Sequence, residues 1–223
     1  MEKIDKFIYI NLAHRTDRRE HVLNELRKVC IDDSKIIRFD AVYNKERGAL
    51  GCTQSHIGIQ KMVMEHPEWK IVCVLEDDCT FYDPMIPMFN ESFKKITETM
   101  EWDIVLLAYA NIVPDHYKYE QVDNSIVRMI KAQTTTGYII NTQYATKLYN
   151  NFTTSYNMLL NGYNNPVNCR TIEHCYAIDQ YWQTLMKTDR WFSTVPMVAY
   201  QFASYSDIER QHCDYFKNSF KNI

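Results

Sequence analysis

The sequence predicts a mixed α/β layer fold, and two observations carry that reading. Short runs rich in β-branched and aromatic side chains recur along the chain, at Phe7–Leu12, Lys70–Leu75, Trp102–Tyr109 and Thr134–Asn141. Runs of this length read as strands buried in a sheet. Between them lie segments with apolar residues at helical spacing, such as Val22, Leu23, Leu26 and Val29, or Ile57, Ile59, Met62 and Val63. Strands alternating with helices build a layered α/β domain.

In chain order, Phe7–Leu12 is the first strand, and Thr16 or Asp17 is the expected cap of a helix reaching about Val29. Ile36–Val42 is a second, shorter strand. A polar loop, Asn44–Gly48, precedes a helix opening at Gly51 and ending before His66-Pro67. The strand Lys70–Leu75 runs into Glu76-Asp77-Asp78. Asp83-Pro84 then reads as a cap and first-turn proline for a helix to about Thr99. Strands are expected at 102–109, 125–131 and 134–141, and a helix at 143–151. Residues 153–170 carry several Asn and little periodicity, which reads as a loop or lid. Ile178–Met186 reads as a helix with Asp179 near its start. Trp191–Gln201 reads as a strand broken by Pro196, and Ser204–Ile208 as a polar turn.

The composition narrows function. The chain has 223 residues, an apolar fraction of 46% and a net charge of -3. This suits one domain or two tightly fused halves, with a sizeable core. No basic block is present, which argues against a nucleic-acid partner. The seven cysteines form no Cys-x-x-Cys pair and are odd in number, so a reducing compartment fits better than a disulfide framework. No secretory signal and no membrane-spanning run is visible, so the expected location is cytoplasmic.

The sequence has no Gly-x-Gly-x-x-Gly after the first strand, no phosphate loop, no Gly-x-Ser-x-Gly elbow and no His-Glu-x-x-His. Its concentrated chemistry is the acidic end of the third strand. Like charges this close raise one another's pKa unless water, a base or a cation compensates. Hard divalent cations such as Mn²⁺ or Mg²⁺ take carboxylate oxygens and share their remaining sites with water and phosphates. The plain alternative is an acidic turn in solvent. Arg15, Arg18 and Arg19 stand at the start of the first helix, where backbone N–H groups also attract anions, and together they suit a diphosphate. For any single arginine, solvation is an almost equal reading. Ser55 suits either a backbone contact or a ligand contact, and spacing does not separate the two. His56 in such a helix is more often a core or surface histidine than a ligand.

Several segments, in order, resemble glycosyltransferase family 25, which includes lipooligosaccharide glycosyltransferases and collagen galactosyltransferases. They are Ile10-Asn11-Leu12 with Arg15, Arg18 and Arg19; Gly48–His56; Leu75–Asp78; Trp102–Leu106; Thr136–Ile140; Ile178-Asp179; and Gln201 with Ser206-Asp207-Ile208. The resemblance covers most of the chain. It implies a GT-A fold with a Rossmann-like mixed sheet flanked by helices. The nucleotide sugar would occupy about residues 1–110 and the acceptor about residues 111–223. It further implies a Mn²⁺- or Mg²⁺-dependent, inverting transfer from a UDP-sugar to a glycan or protein hydroxyl.

On this reading Asp78 is the direct metal ligand. Glu76 or Asp77 holds a metal water or the donor ribose, and Asn11, Arg15, Arg18 and Ser55 join the donor site. Asp179 is the candidate base, ahead of Asp103 and Glu173. His212 is the C-terminal side chain best suited to complete a metal shell, weighed against a solvated tail histidine. Thr53-Gln54 departs from the aliphatic pair the family often has there. Two other readings stand beside the enzyme: a binding module that has lost turnover, and a different metal-dependent phosphoryl-transfer enzyme.

Overall fold

The computed structural model describes residues 1–110, 114–165, 169–206 and 211–214, with the backbone alone at 114 and 169–171. The first half follows the expected alternation: β1 (Lys6–Asn11), α1 (Thr16–Lys28), β2 (Ile36–Asp40), α2 (Gly48–Glu65) and β3 (Ile71–Glu76). Next come β4 (Cys79–Phe81), α3 (Ile86–Thr99), β5 (Ile104–Leu106), β6 (Lys118–Gln121), β7 (Ile126–Lys131) and β8 (Gly137–Asn141). The chain continues with α4 (Ala145–Asn164), α5 (Cys169–Tyr176), α6 (Ile178–Tyr181), α7 (Gln183–Met186), β9 (Trp191–Thr194), β10 (Ala199–Gln201), β11 (Ser204–Ser206) and β12 (Gln211–Cys213).

Eight strands form one mixed sheet in the order β2-β1-β3-β8-β5-β9-β7-β6, the Rossmann-like α/β architecture read from the sequence. β1 pairs in parallel with both β2 and β3, whereas β8 is antiparallel to both β3 and β5. Val72, Cys73, Val74 and Leu75 are all fully buried, so β3 is covered on both faces. Such a strand reads as a continuous apolar run rather than an alternating one, which is why it stood out in the sequence. Strands from residues 1–110 and from 111–223 interleave in this sheet, β3 beside β8 and β5 beside β9. No helix among the described residues is long and apolar enough to cross a membrane.

Several local expectations are corrected. The segment expected to be a loop or lid at 153–170 is helical as far as Asn164, because α4 continues well past the expected end. Asn and Tyr are weak helix formers, and packing overrides them. Phe152, Ser155 and Leu159 are buried, Gln54 of α2 donates to Tyr156 Oη at 3.1 Å, and Ser155 Oγ donates to the Tyr176 carbonyl at 2.7 Å. Neither Thr16 nor Asp17 caps α1. The capping position is Arg15, and Asp17 is engaged instead by the Arg15 guanidinium at 3.0 and 3.1 Å. Asp83 lies inside a short 3₁₀ turn capped by Tyr82, and its carboxylate pairs with Lys28 at 2.8 Å. The helix expected at 178–186 is two short helices. The expected break at Pro196 is a cis Val195-Pro196 bond between β9 and β10. Ser204–Ser206 is not a turn but a strand paired antiparallel with β12. Asp207 and Ile208 lie outside the described residues.

Candidate active site

The site forms where three parallel strands end together. In an open α/β sheet, ligands bind outside the carboxyl ends of the strands, where the strand order reverses. Here β1, between β2 and β3, ends in Asn11, β2 ends in Asp40 and β3 ends in Glu76. After Glu76 the chain turns at Asp77-Asp78 and leaves the main sheet, since β4 pairs with β10 instead. The Phe202 amide donates to the Asp78 carbonyl at 2.7 Å and fixes that turn.

A cavity of about 650 Å³ opens at these strand ends. Its lining includes Ile10, Leu12, Arg15, Arg18, the 41–46 loop and Gly48. Cys52, Ser55 and His56 of α2, Glu76-Asp77-Asp78, Gln201, Tyr205 and Ser206 complete it. The volume is that of a small-molecule pocket. The wall at residues 42–44 is set by α2. A Cβ on Gly51 would lie 2.4 Å from the Val42 carbonyl oxygen, so only glycine permits this approach. Ser55, one turn later, accepts from the Val42 amide at 2.9 Å and donates to the Gly51 carbonyl at 2.8 Å.

The three acids do different work. Asp77 accepts from Asn11 Nδ2 at 2.7 Å and from Arg18 Nη1 at 3.1 Å. The same Arg18 nitrogen stands 3.0 Å from Asp78 Oδ2, which also accepts from Gln201 Nε2 at 3.3 Å. One guanidinium therefore serves two carboxylates. Burial pushes Asp77 above the usual carboxylate range against the pull of Arg18 and Asn11. Burial pushes Asp78 up to about 7, opposed by Arg18 and reinforced by Glu76 and Asp77. Asp78 Oδ1 is buried and has no hydrogen-bond partner. Such an oxygen, amid other acids, suits a hard cation, so the residues fit Mn²⁺ or Mg²⁺.

Glu76 takes separate partners. It accepts from Thr135 Oγ1 at 2.6 Å, and its Oε1 lies 3.6 Å from His56 Nε2 and 3.9 Å from Cys52 Sγ. Burial alone would raise its pKa, but His56, Thr135 and Arg18 outweigh that and hold it below the usual range.

Arg15 and Arg18 also reach the far wall. Both donate to the Tyr205 carbonyl, at 3.2 and 2.9 Å, and Arg18 Nη2 donates to Ser204 Oγ at 2.6 Å. His212, the cross-strand partner of Tyr205, meets its ring edge-on at 5.9 Å. Asp179 opens α6 and does not line the cavity. Its Oδ2 accepts from the Thr134 amide at 3.0 Å, and Thr134 is held at φ 77. A β-branched residue there is strained. Burial, with Glu76 nearby, raises the Asp179 pKa, although the Thr134 amide pulls it back.

The other acids considered for the base are engaged elsewhere and line no part of the cavity. Asp103 makes a paired contact with Arg190, at 2.7 and 3.1 Å, and Glu173 accepts from the Tyr163 hydroxyl. Thr53 and Gln54 bond to the Ala49 carbonyl and to Tyr156, so that departure serves helix packing.

Sequence reasoning missed the convergence of Cys52, His56, Thr135 and Glu76, and the wall made by Tyr205 and Ser206. The helical spacing of Cys52 and His56, four residues apart, was the available signal.

The profile of Glycosyltransferase family 25 (LPS biosynthesis protein) matches residues 46–161. Procollagen galactosyltransferase 1-B of Xenopus laevis is 28% identical over 180 residues, 66% of this chain. The chain spans 28% of that relative's length. Among solved structures, a glycosyltransferase involved in glycosylation of the major capsid of PBCV-1 aligns with a TM-score of 0.46 at 8% identity, covering 92% of this chain and 96% of that one. A197 from STIV aligns with a TM-score of 0.49 at 11% identity, covering 93% and 92%. With the profile spanning more than half of its residues, α2 and the acidic end of β3 included, the chain belongs to glycosyltransferase family 25.

Proposed function

We propose that this chain transfers a hexosyl group, galactose or glucose, from a UDP-sugar to a hydroxyl of a glycan or of a collagen-like hydroxylysine, with inversion and with Mn²⁺ or Mg²⁺. The observation that carries the reading is the unpartnered Asp78 Oδ1 beside Asp77 and Arg18 at the strand-end cavity. The galactosyltransferase relative supports the choice of sugar and of collagen-like acceptor.

The residues divide the work as follows. Asp78, with Glu76 or Asp77, would hold the metal, which when bound stabilises charge on the departing diphosphate as a Lewis acid. Arg15, Arg18 and the N-terminus of α1 add positive potential there. Asn11 fixes Asp77, and Ser55 fixes the wall at Val42, so both shape the donor site by positioning. His212, on the strand opposite Tyr205, is the C-terminal candidate for the metal shell. Asp179 is the proposed base for the acceptor hydroxyl, on the part of the chain proposed to hold acceptor. Burial raises its pKa above the ordinary carboxylate value, which makes it a stronger base than an exposed aspartate.

The test is a thermal-shift panel of UDP-galactose, UDP-glucose and UDP-N-acetylglucosamine with and without Mn²⁺, followed by UDP release on an acceptor array. Stabilisation by one UDP-hexose, enhanced by Mn²⁺, is expected. No response to any UDP ligand would sink the proposal.

A further inference from the structure

We infer that Cys52, His56 and Glu76 form a second metal site, selective for a borderline-soft ion of the Zn²⁺ class, which leaves the hard-cation site of the proposed function to Asp78 with Asp77. Cys52 and His56 lie four residues apart on α2, so both project from one helix face toward the end of β3. Their ligand atoms and Glu76 Oε1 all lie within 4.8 Å of one another. Zinc takes sulfur at ~2.3 Å and nitrogen or oxygen at ~2.0–2.2 Å, which places neighbouring ligands of a tetrahedral site roughly 3.3–3.6 Å apart. The Nε2···Oε1 distance of 3.6 Å and the Sγ···Oε1 distance of 3.9 Å need only a few tenths of an ångström of contraction.

The second observation is the state of His56. Its side chain is fully buried, and Nε2, directed at Glu76, has no hydrogen-bond partner. At 3.6 Å from Glu76 Oε1 that nitrogen has a loose electrostatic contact but no hydrogen bond, and a metal ion between the two satisfies it better. The other nitrogen is already held, with Nδ1 3.0 Å from the Tyr138 hydroxyl, which Gln60 also contacts at 3.1 Å. In the metal-free chain Nε2–H faces the Glu76 carboxylate; on metal binding that proton leaves, Nδ1–H donates to the Tyr138 oxygen, and Nε2 presents its lone pair to the ion. This outer hydrogen bond fixes the tautomer of a ligating histidine. Stacking on Tyr138 and an edge contact with Phe152 hold the ring.

Charge and access agree. A thiolate, a carboxylate and a neutral imidazole neutralise a divalent ion, and the Cys52 thiol proton leaves to solvent on binding. All three residues line the cavity, so the fourth position faces it and takes water or an anionic oxygen. Sulfur and imidazole favour zinc over magnesium or manganese, whereas Asp77 and Asp78 offer oxygen alone.

The experiment uses the full chain after metal stripping. Zn²⁺ is titrated calorimetrically in excess Mg²⁺, and Co²⁺ is added separately as a spectroscopic probe. One saturable Zn²⁺ site and a sulfur-to-cobalt charge-transfer band are expected. Cys52→Ser should remove the band and weaken Zn²⁺ by at least the ~10–100-fold that loss of an outer partner typically costs. Tyr138→Phe keeps the ring and should weaken Zn²⁺ while retaining the band. Asp78→Asn should leave Zn²⁺ affinity within error, which separates this site from the proposed transfer chemistry. A cobalt spectrum without the sulfur band, or Zn²⁺ affinity unchanged in Cys52→Ser, overturns the assignment.

Discussion

Asp78 couples the site to pH. Burial raises its folded pKa to about 7, while in the unfolded chain it titrates near the ordinary value of 3.8. Between those values the metal-free folded state binds more protons than the unfolded one, so this group's contribution to stability falls as pH rises from about 4 to 7. Metal-free Asp78→Asn should therefore be more stable than the parent at pH 8, by roughly 1–3 kcal/mol, the usual cost of a buried group left unpaired. Urea denaturation of both chains checks this, and equal or lower stability would contradict it. On the proposed function, Mn²⁺ affinity should decline as pH falls through 7, with proton release measurable by calorimetry in two buffers. Asp179 offers a second residue-scale test. Asp179→Asn retains an acceptor for the Thr134 amide but cannot take a proton. As the base, Asp179 predicts a loss of ~10²–10⁴-fold in kcat with near-normal folding. Near-parental kcat would leave Asp179 only the role of holding Thr134, and thereby Thr135 on Glu76.

At the scale of elements, α2 is the part that shapes the cavity. Gly51→Ala forces the helix and the Val42 carbonyl apart, because the close contact is with backbone. A cost of about 1–3 kcal/mol is expected, as for an overpacked core. UDP-ligand affinity should fall with it, read by denaturation and by titration. The hairpin of β11 and β12 depends on α1 through Arg15 and Arg18. Arg18→Gln should speed amide hydrogen exchange at Ser204–Ser206 with little change in β1 or β3, since local opening reflects lost local contacts. Unchanged exchange in the hairpin would show that Arg18 does not hold it.

Across the whole molecule, the parts legible in the sequence were those with local signals. A doubly covered strand such as β3 is a continuous apolar run, and its acidic end marks where the cavity opens. α1 and α2 carried helical periodicity. The parts that were not legible depend on partners distant in the chain. The second half of α4, from residue 153 to Asn164, looked like a loop because its Asn and Tyr content hides a helix that α2 stabilises. β4 and β11 are three residues each, too short to show a pattern. The mixed order of the sheet, with β8 inserted between β3 and β5, is a long-range fact. So is the meeting of Glu76 from β3 with Cys52 and His56 from α2 and Thr135 from the approach to β8. Arg18 and Asp78 were both singled out in the sequence, but their sharing of one ion pair with Asp77 was not.

The central claim is that the carboxylates ending β3 hold the metal that serves a UDP-sugar. The measurement that tests it most directly is UDP release from the preferred UDP-hexose, with and without Mn²⁺, for the parent chain and Asp78→Ala. The parent should release UDP in a Mn²⁺-dependent manner. Asp78→Ala should lose at least ~10²-fold of that rate, the equivalent of the several kcal/mol that a Lewis-acid metal supplies. Mn²⁺-dependent release that survives unchanged in Asp78→Ala would contradict the account.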